Sequence, residues 1–178
     1  MLPEDPQYVS FDLGPIRPRD VRQVLKGTNK KSSPGPDGIT YGILHHLPCT
    51  DQILATHFNK VLISGVPPPS WSESLIKLIH KKGLNEDPTN FRMIALTSTI
   101  GKTYHLILAK RTTDYLLING LIDPEVQKAF LPGINGCIEH NVVLEEVIKD
   151  ARINKKTLHI TFFDLADAFG SVPGYTII

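Results

Sequence analysis

Proline and glycine cut this chain into short pieces. Its 178 residues include 14 prolines and 13 glycines, and many of them cluster: "KKSSPGPDGIT" (30–40), "VPPPSW" (66–71) and "PGING" (132–136). Proline fixes φ and removes a backbone donor, while glycine opens turn conformations. These stretches therefore read as loops and a stiff connector, and regular elements must fit between them.

The pieces between the breaks have clear periods. "RPRDVRQVLKG" (17–27) starts a helix at a proline and stops it at Gly27. "DQILATHFNKVLISG" (51–65) puts Leu54, Phe58, Val61 and Leu62 on one helical face and ends at Gly65. "SLIKLIHK" (74–81) and "NFRMIAL" (90–96) read as strands joined through the turn-like "GLNEDPT", which predicts a hairpin. Ser98 is placed to cap a helix from Thr99 to about Asn119, with Ile100, Tyr104, Ile107, Leu108, Arg111 and Tyr115 near one side and Gly120 as its stop. "CIEHNVVLEEVIKDARIN" (137–154) reads as an amphipathic helix, with Glu145 and Glu146 on its solvated face. "TLHITFF" (157–163) has the β-branched and aromatic composition of a strand. The first sixteen residues, with Pro3, Pro6 and Pro15, form an arm with room for one short strand in "YVSFDL". The expected class is α+β, with no linker that would separate a second domain.

Charge and composition exclude some classes. The net charge of +1 makes no global demand for a nucleic-acid partner. Basic runs at 17–31, 76–83 and 154–156 are each most simply solvated faces, though together they would suit a phosphate-lined groove. Apolar runs are too short to span a bilayer, and "MLPEDPQYVSF" lacks the pattern of a signal peptide. The expectation is an intracellular protein without a membrane partner, with nucleus and cytoplasm both open. Cys49 and Cys137 have no CxxC spacing, so they are expected to be small, partly buried apolar residues rather than a disulfide or zinc ligands. His45 and His46 are adjacent and cannot share a helical face, and the other histidines have no ligand spacing. Trp71, after three prolines, is expected to anchor the connector.

One carboxylate stands out. Asp164 falls at the C-terminal edge of the expected last strand, where a rigid backbone can present a side chain to a cleft. Mg²⁺ takes one or two carboxylates together with substrate phosphates. A lone aspartate is no metal site, and capping the turn after the strand is an equally simple role for it. Phe169, five residues on, is either a wall of the same pocket or plain core.

Four segments, in order, resemble the N-terminal part of the reverse transcriptases of non-LTR retrotransposons. They are "KSSPGPDGIT" (31–40), "LIKLIHKKG…DPTNFRMIALTSTIGKTYHLILAKR" (75–111), "GLIDPEVQKAFLPGINGCIEH" (120–140) and "TFFDLADAFGSVP" (161–173). The resemblance implies the fingers and an incomplete palm of a right-hand polymerase. An arm would occupy 1–16, fingers 17–156, and the start of the palm 157–178.

It also implies roles. Asp164 matches the family's metal-binding aspartate, and the carbonyl of Leu165 the neighbouring Mg²⁺ ligand. Asp167 and Ala168 match positions whose main chain meets the nucleotide triphosphate. Phe169 matches the bulky residue that excludes a ribose 2′-hydroxyl. Arg92, with Lys81 and its neighbour Lys82, matches the fingers cations that grip the triphosphate, work suited to a guanidinium fork and an ammonium point charge. The implied partners are an RNA template, a DNA primer and deoxynucleotides.

The chain departs from the family pattern at "IHK" (79–81), "RMI" (92–94), "QKAF" (127–130) and Gly170. It also contains no aspartate pair of the "YADD" type, nor the rest of the palm that would supply it. By itself the chain is therefore expected to be inactive. The alternative is a non-catalytic remnant that only binds nucleic acid or protein. A phosphoaspartyl phosphatase fits poorly, because residue 166 is Ala where a second acid is needed.

Overall fold

α1 (Pro18–Lys26) begins where the sequence sets a proline at its first turn, and the Asp20 carboxylate accepts the Arg17 N–H at 2.9 Å. A computed structural model describes residues 8–129 and 131–164. α1 buries Val21 and Leu25. α2 (Tyr41–His46) was not expected: six residues cannot display a helical period, and the sequence signal reduces to Thr40, whose hydroxyl accepts the Ile43 N–H. α3 (Thr50–Ser64) buries Leu54, Phe58 and Val61 as its period predicts, and Gly65 ends it at φ 67°.

β1 (Ser74–His80) and β2 (Phe91–Thr97) form an antiparallel hairpin, in register from Ser74 opposite Thr97 to His80 opposite Phe91. α4 (Thr99–Ile118) follows immediately, and the Ser98 hydroxyl accepts the Gly101 N–H.

Contacts divide the chain into Met1–Pro124 and Glu125–Ile178. In the first unit α1 packs on α2, α3 and α4. Val21, Leu44, Phe58, Tyr104 and Ile107 lie in the resulting core. Trp71 anchors the proline connector as expected: its ring lies 5.3 Å from that of Tyr104 and 6.1 Å from that of Phe58. A Cβ at residue 101 would come within 2.9 Å of the Trp71 ring, so the approach of indole to α4 depends on Gly101.

The arm contains no strand over 8–13. Side chains replace the missing ladder. Asn119 accepts the Val9 N–H at 2.7 Å and donates to the Val9 carbonyl at 3.1 Å. Asn59 does the same for Ile16, at 2.7 and 2.8 Å. Between them the Arg111 guanidinium donates to the carbonyls of Asp12, Gly14 and Pro15.

In the second unit, α5 (Gly136–Ile153) carries the amphipathic sequence 137–154, with Glu145 and Glu146 exposed as expected. The Lys128 ammonium lies 2.8 Å from Glu139 and 3.7 Å from Glu125.

Two expectations require correction here. Residues 157–163 are not a strand, because among the described residues no neighbouring strand offers them a ladder. Both cysteines are exposed rather than partly buried. Cys49 takes φ 56° ahead of α3, and Cys137 sits in the first turn of α5.

Candidate functional site

The hairpin is the most informative surface. Its register fixes which side chains share a face, since neighbours along a strand alternate. Lys77 and Ile79 of β1 stand opposite Ile94 and Arg92 of β2. The ladder continues one step past β1, where the Lys81 N–H donates to the Asn90 carbonyl at 2.7 Å. Lys77, Lys81 and Arg92 therefore lie on one face, with Leu75, Ile79, Ile94 and Leu96 among them. Lys81 and Arg92 are diagonal neighbours, a relation that sets residues roughly 7–8 Å apart.

The reverse face carries Ile76, Leu78, His80, Phe91, Met93 and Ala95, with no acid and no lysine or arginine. The three cations are exposed, and among the described residues none forms an ion pair. The acids nearest them in sequence lie outside the strands: Glu73 just before β1, and Glu86 and Asp87 in the connecting turn. Asp87 is committed there: its carboxylate accepts from the Thr89 N–H and hydroxyl, and the hydroxyl contact in particular holds its pKa below the ordinary value.

The base of the hairpin is held by the glycine- and proline-rich loop. A Cβ at residue 35 would overlap the Thr97 carbonyl, so only Gly35 permits the loop to lie against the end of β2. Asp37 accepts from the Ser98 hydroxyl at 2.8 Å and from the Ile39 N–H at 3.0 Å. The first and second segments of resemblance thus meet at one joint, where the hairpin passes into α4.

The other residues singled out from sequence belong to other segments of the chain. Lys82 is exposed in the turn. Asp164 is exposed beyond the unpaired 157–163 segment, within the second unit. Leu165, Asp167, Ala168 and Phe169 lie outside the described residues. Among the described residues no group of three or more His, Cys, Asp or Glu side chains is placed to hold a metal ion, and no helix is long and apolar enough to cross a membrane. Sequence reasoning missed Lys77. The signal was present in the 77, 79, 81 alternation, which places it with Lys81.

No protein-family model matches the chain. Individual relatives do. The "Retrovirus-related Pol polyprotein from type-1 retrotransposable element R2" of Nasonia vitripennis is 30% identical over 164 residues, 92% of this chain and 15% of that protein. The "Probable RNA-directed DNA polymerase from transposon BS" of Drosophila melanogaster is 29% identical over 171 residues, 95% of this chain and 19% of that protein. The "Probable RNA-directed DNA polymerase from transposon X-element" of the same species is 29% identical over 166 residues, covering 92% and 18%. The chain thus spans less than a fifth of the length of these three relatives. Over most of its length, then, the chain is similar to the reverse transcriptases of non-LTR retrotransposons.

Proposed function

We propose that this chain is the fingers (17–156, with the arm 1–16) and the beginning of the palm (157–178) of a reverse transcriptase that copies RNA into DNA. The observation that carries this reading is the hairpin face. Arg92 lies on β2 and Lys81 one step past the end of β1, yet the register sets them side by side, exposed and without acid partners among the described residues. An anion held there would meet a guanidinium fork and an ammonium together, as the triphosphate of an incoming deoxynucleotide requires.

Asp164 is the proposed metal ligand, with the Leu165 carbonyl beside it. Asp167 and Ala168 present main-chain groups to the nucleotide, and Phe169 guards its 2′ position. A carboxylate and a carbonyl oxygen suit a hard cation such as Mg²⁺, which supplies charge neutralisation at the phosphates when bound. They form only part of a coordination shell, and the sequence holds no "YADD"-type pair to complete it. This chain alone is therefore expected not to extend a primer.

The test uses a polymerase in which this sequence is joined to a complete palm and thumb. Asp164→Asn is expected to remove nearly all deoxynucleotide incorporation on an RNA template, and Asp167→Asn to cost much less. Phe169→Val is expected to admit ribonucleotides. Full activity in Asp164→Asn would overturn the reading, and an unchanged ribose preference in Phe169→Val would remove the gate assignment.

A further inference from the structure

We propose that Lys77 is a phosphate contact, and that the cationic face of the hairpin carries the backbone of a single-stranded nucleic acid along its length. The choice of partner rests on the polymerase reading. The geometry comes from the register. Lys77, Arg92 and Lys81 follow one another along one face, with Arg92 on the second strand opposite Ile79. Four residues of extended chain separate Lys77 from Lys81, about 13 Å at the rise of a strand. A triphosphate gripped by the adjacent pair Lys81 and Arg92 does not need Lys77, which stands on the far side of Ile79 from Lys81.

The rest of the face supports a backbone contact. Within the paired strands it contains no acid, the nearest being Glu73 just before β1, and the remaining strand residues, Leu75, Ile79, Ile94 and Leu96, are aliphatic. Aliphatic side chains offer a base neither a stacking ring nor a hydrogen bond. Binding should therefore be insensitive to base sequence and strongly dependent on salt. The reverse face has no lysine or arginine, so the hairpin can hold a strand this way on one side only.

The experiment follows fluorescence anisotropy of labelled single-stranded oligouridylate with the whole chain across a series of salt concentrations. Inorganic tripolyphosphate is measured separately as a ligand. Lys77→Ala is expected to weaken oligonucleotide binding and to reduce the slope of log affinity against log salt by about 0.7, the effect of one lost contact on a single strand. Tripolyphosphate affinity should stay unchanged in Lys77→Ala and fall in Arg92→Ala. The double variant Lys77→Ala/Leu78→Lys keeps the net charge but moves it to the reverse face, and should not recover the slope.

Absence of salt-dependent binding by the unaltered chain would overturn the proposal. So would an unchanged slope in Lys77→Ala, an equal loss of tripolyphosphate affinity in that variant, or full recovery in the double variant. Lys77 is exposed and unpaired among the described residues, so its replacement should leave the circular dichroism spectrum and thermal transition in place. The two readings fail separately. A joined polymerase that remains active with Asp164→Asn removes the catalytic assignment without touching the anisotropy result.

Discussion

At the scale of single residues, Asn59 and Asn119 do work that is normally done by a strand. Each side-chain amide presents one acceptor and one donor to the N–H and C=O of a single arm residue, a match that neither a carboxylate nor a hydrocarbon can reproduce. Ile16 is only 2% exposed, so water cannot readily replace Asn59. Asn59→Asp sets a carboxylate oxygen against the Ile16 carbonyl and is expected to cost about 1–3 kcal/mol in urea unfolding. Asn119→Asp acts on exposed Val9 and should cost less. Tyr41 is the residue-scale source of a pH dependence. Burial pushes its phenol above the ordinary value of 10.0, against a smaller opposing effect from its hydrogen bond with Thr103. The unfolded chain then releases the phenolic proton first. The stability linked to Tyr41 is fully present below pH 10.0 and is lost as pH rises through the raised folded value. Tyr41→Phe should flatten the decline of stability above pH 10.0, read from urea midpoints across an alkaline series.

Among the elements, the joint between hairpin and α4 is the most exacting. Gly35→Ala would drive a methyl group into the Thr97 carbonyl, and backbone cannot yield as a side chain would. A loss of about 1–3 kcal/mol is expected, with faster amide exchange at Thr97 and Ser98. Ser98→Ala removes the cap of α4 and the partner of Asp37 together, and is expected to cost about 0.5–2 kcal/mol. This joint also marks how far the sequence could be read. Its parts were legible: Ser98 announced the start of α4 and Gly120 its end, while two mostly apolar runs around a turn-like stretch announced both strands. Their meeting was not, because Gly35 and Thr97 lie far apart in sequence and no local pattern links them. α2 was hidden by its shortness. The 157–163 segment has the composition of a strand, but composition carries no information about whether a neighbour exists. For the candidate site, Lys81 and Arg92 were legible only through resemblance, and Lys77 became visible once pairing fixed its face.

At the scale of the molecule, apolar side chains are exposed along much of the described chain, and the hairpin and the segment after α5 are two such places. Both faces of the hairpin carry exposed aliphatic side chains, Met93 at 75%, and beyond α5 Phe162 and Phe163 are exposed at 79% and 94%. Such surface favours self-association. Replacing both phenylalanines in Phe162→Ser/Phe163→Ser should raise the monomer fraction in analytical ultracentrifugation and leave the thermal transition of the helices unchanged. Amides from Ile160 to Phe163 should exchange much faster than those of α4, and strong protection there in a monomer would mean that the segment has found a strand partner. The side-chain fastening of the arm has a consequence of another kind, in the order of events during synthesis. Val9 is held by a residue made 110 positions later, so at ordinary elongation rates about 5–20 s separate the two on the ribosome. α1 and α3 are complete long before Arg111 and Asn119 exist. A nascent chain halted ahead of α4 would therefore carry a half-built core and an untied arm, and translation of α4 is the moment at which the first unit can close.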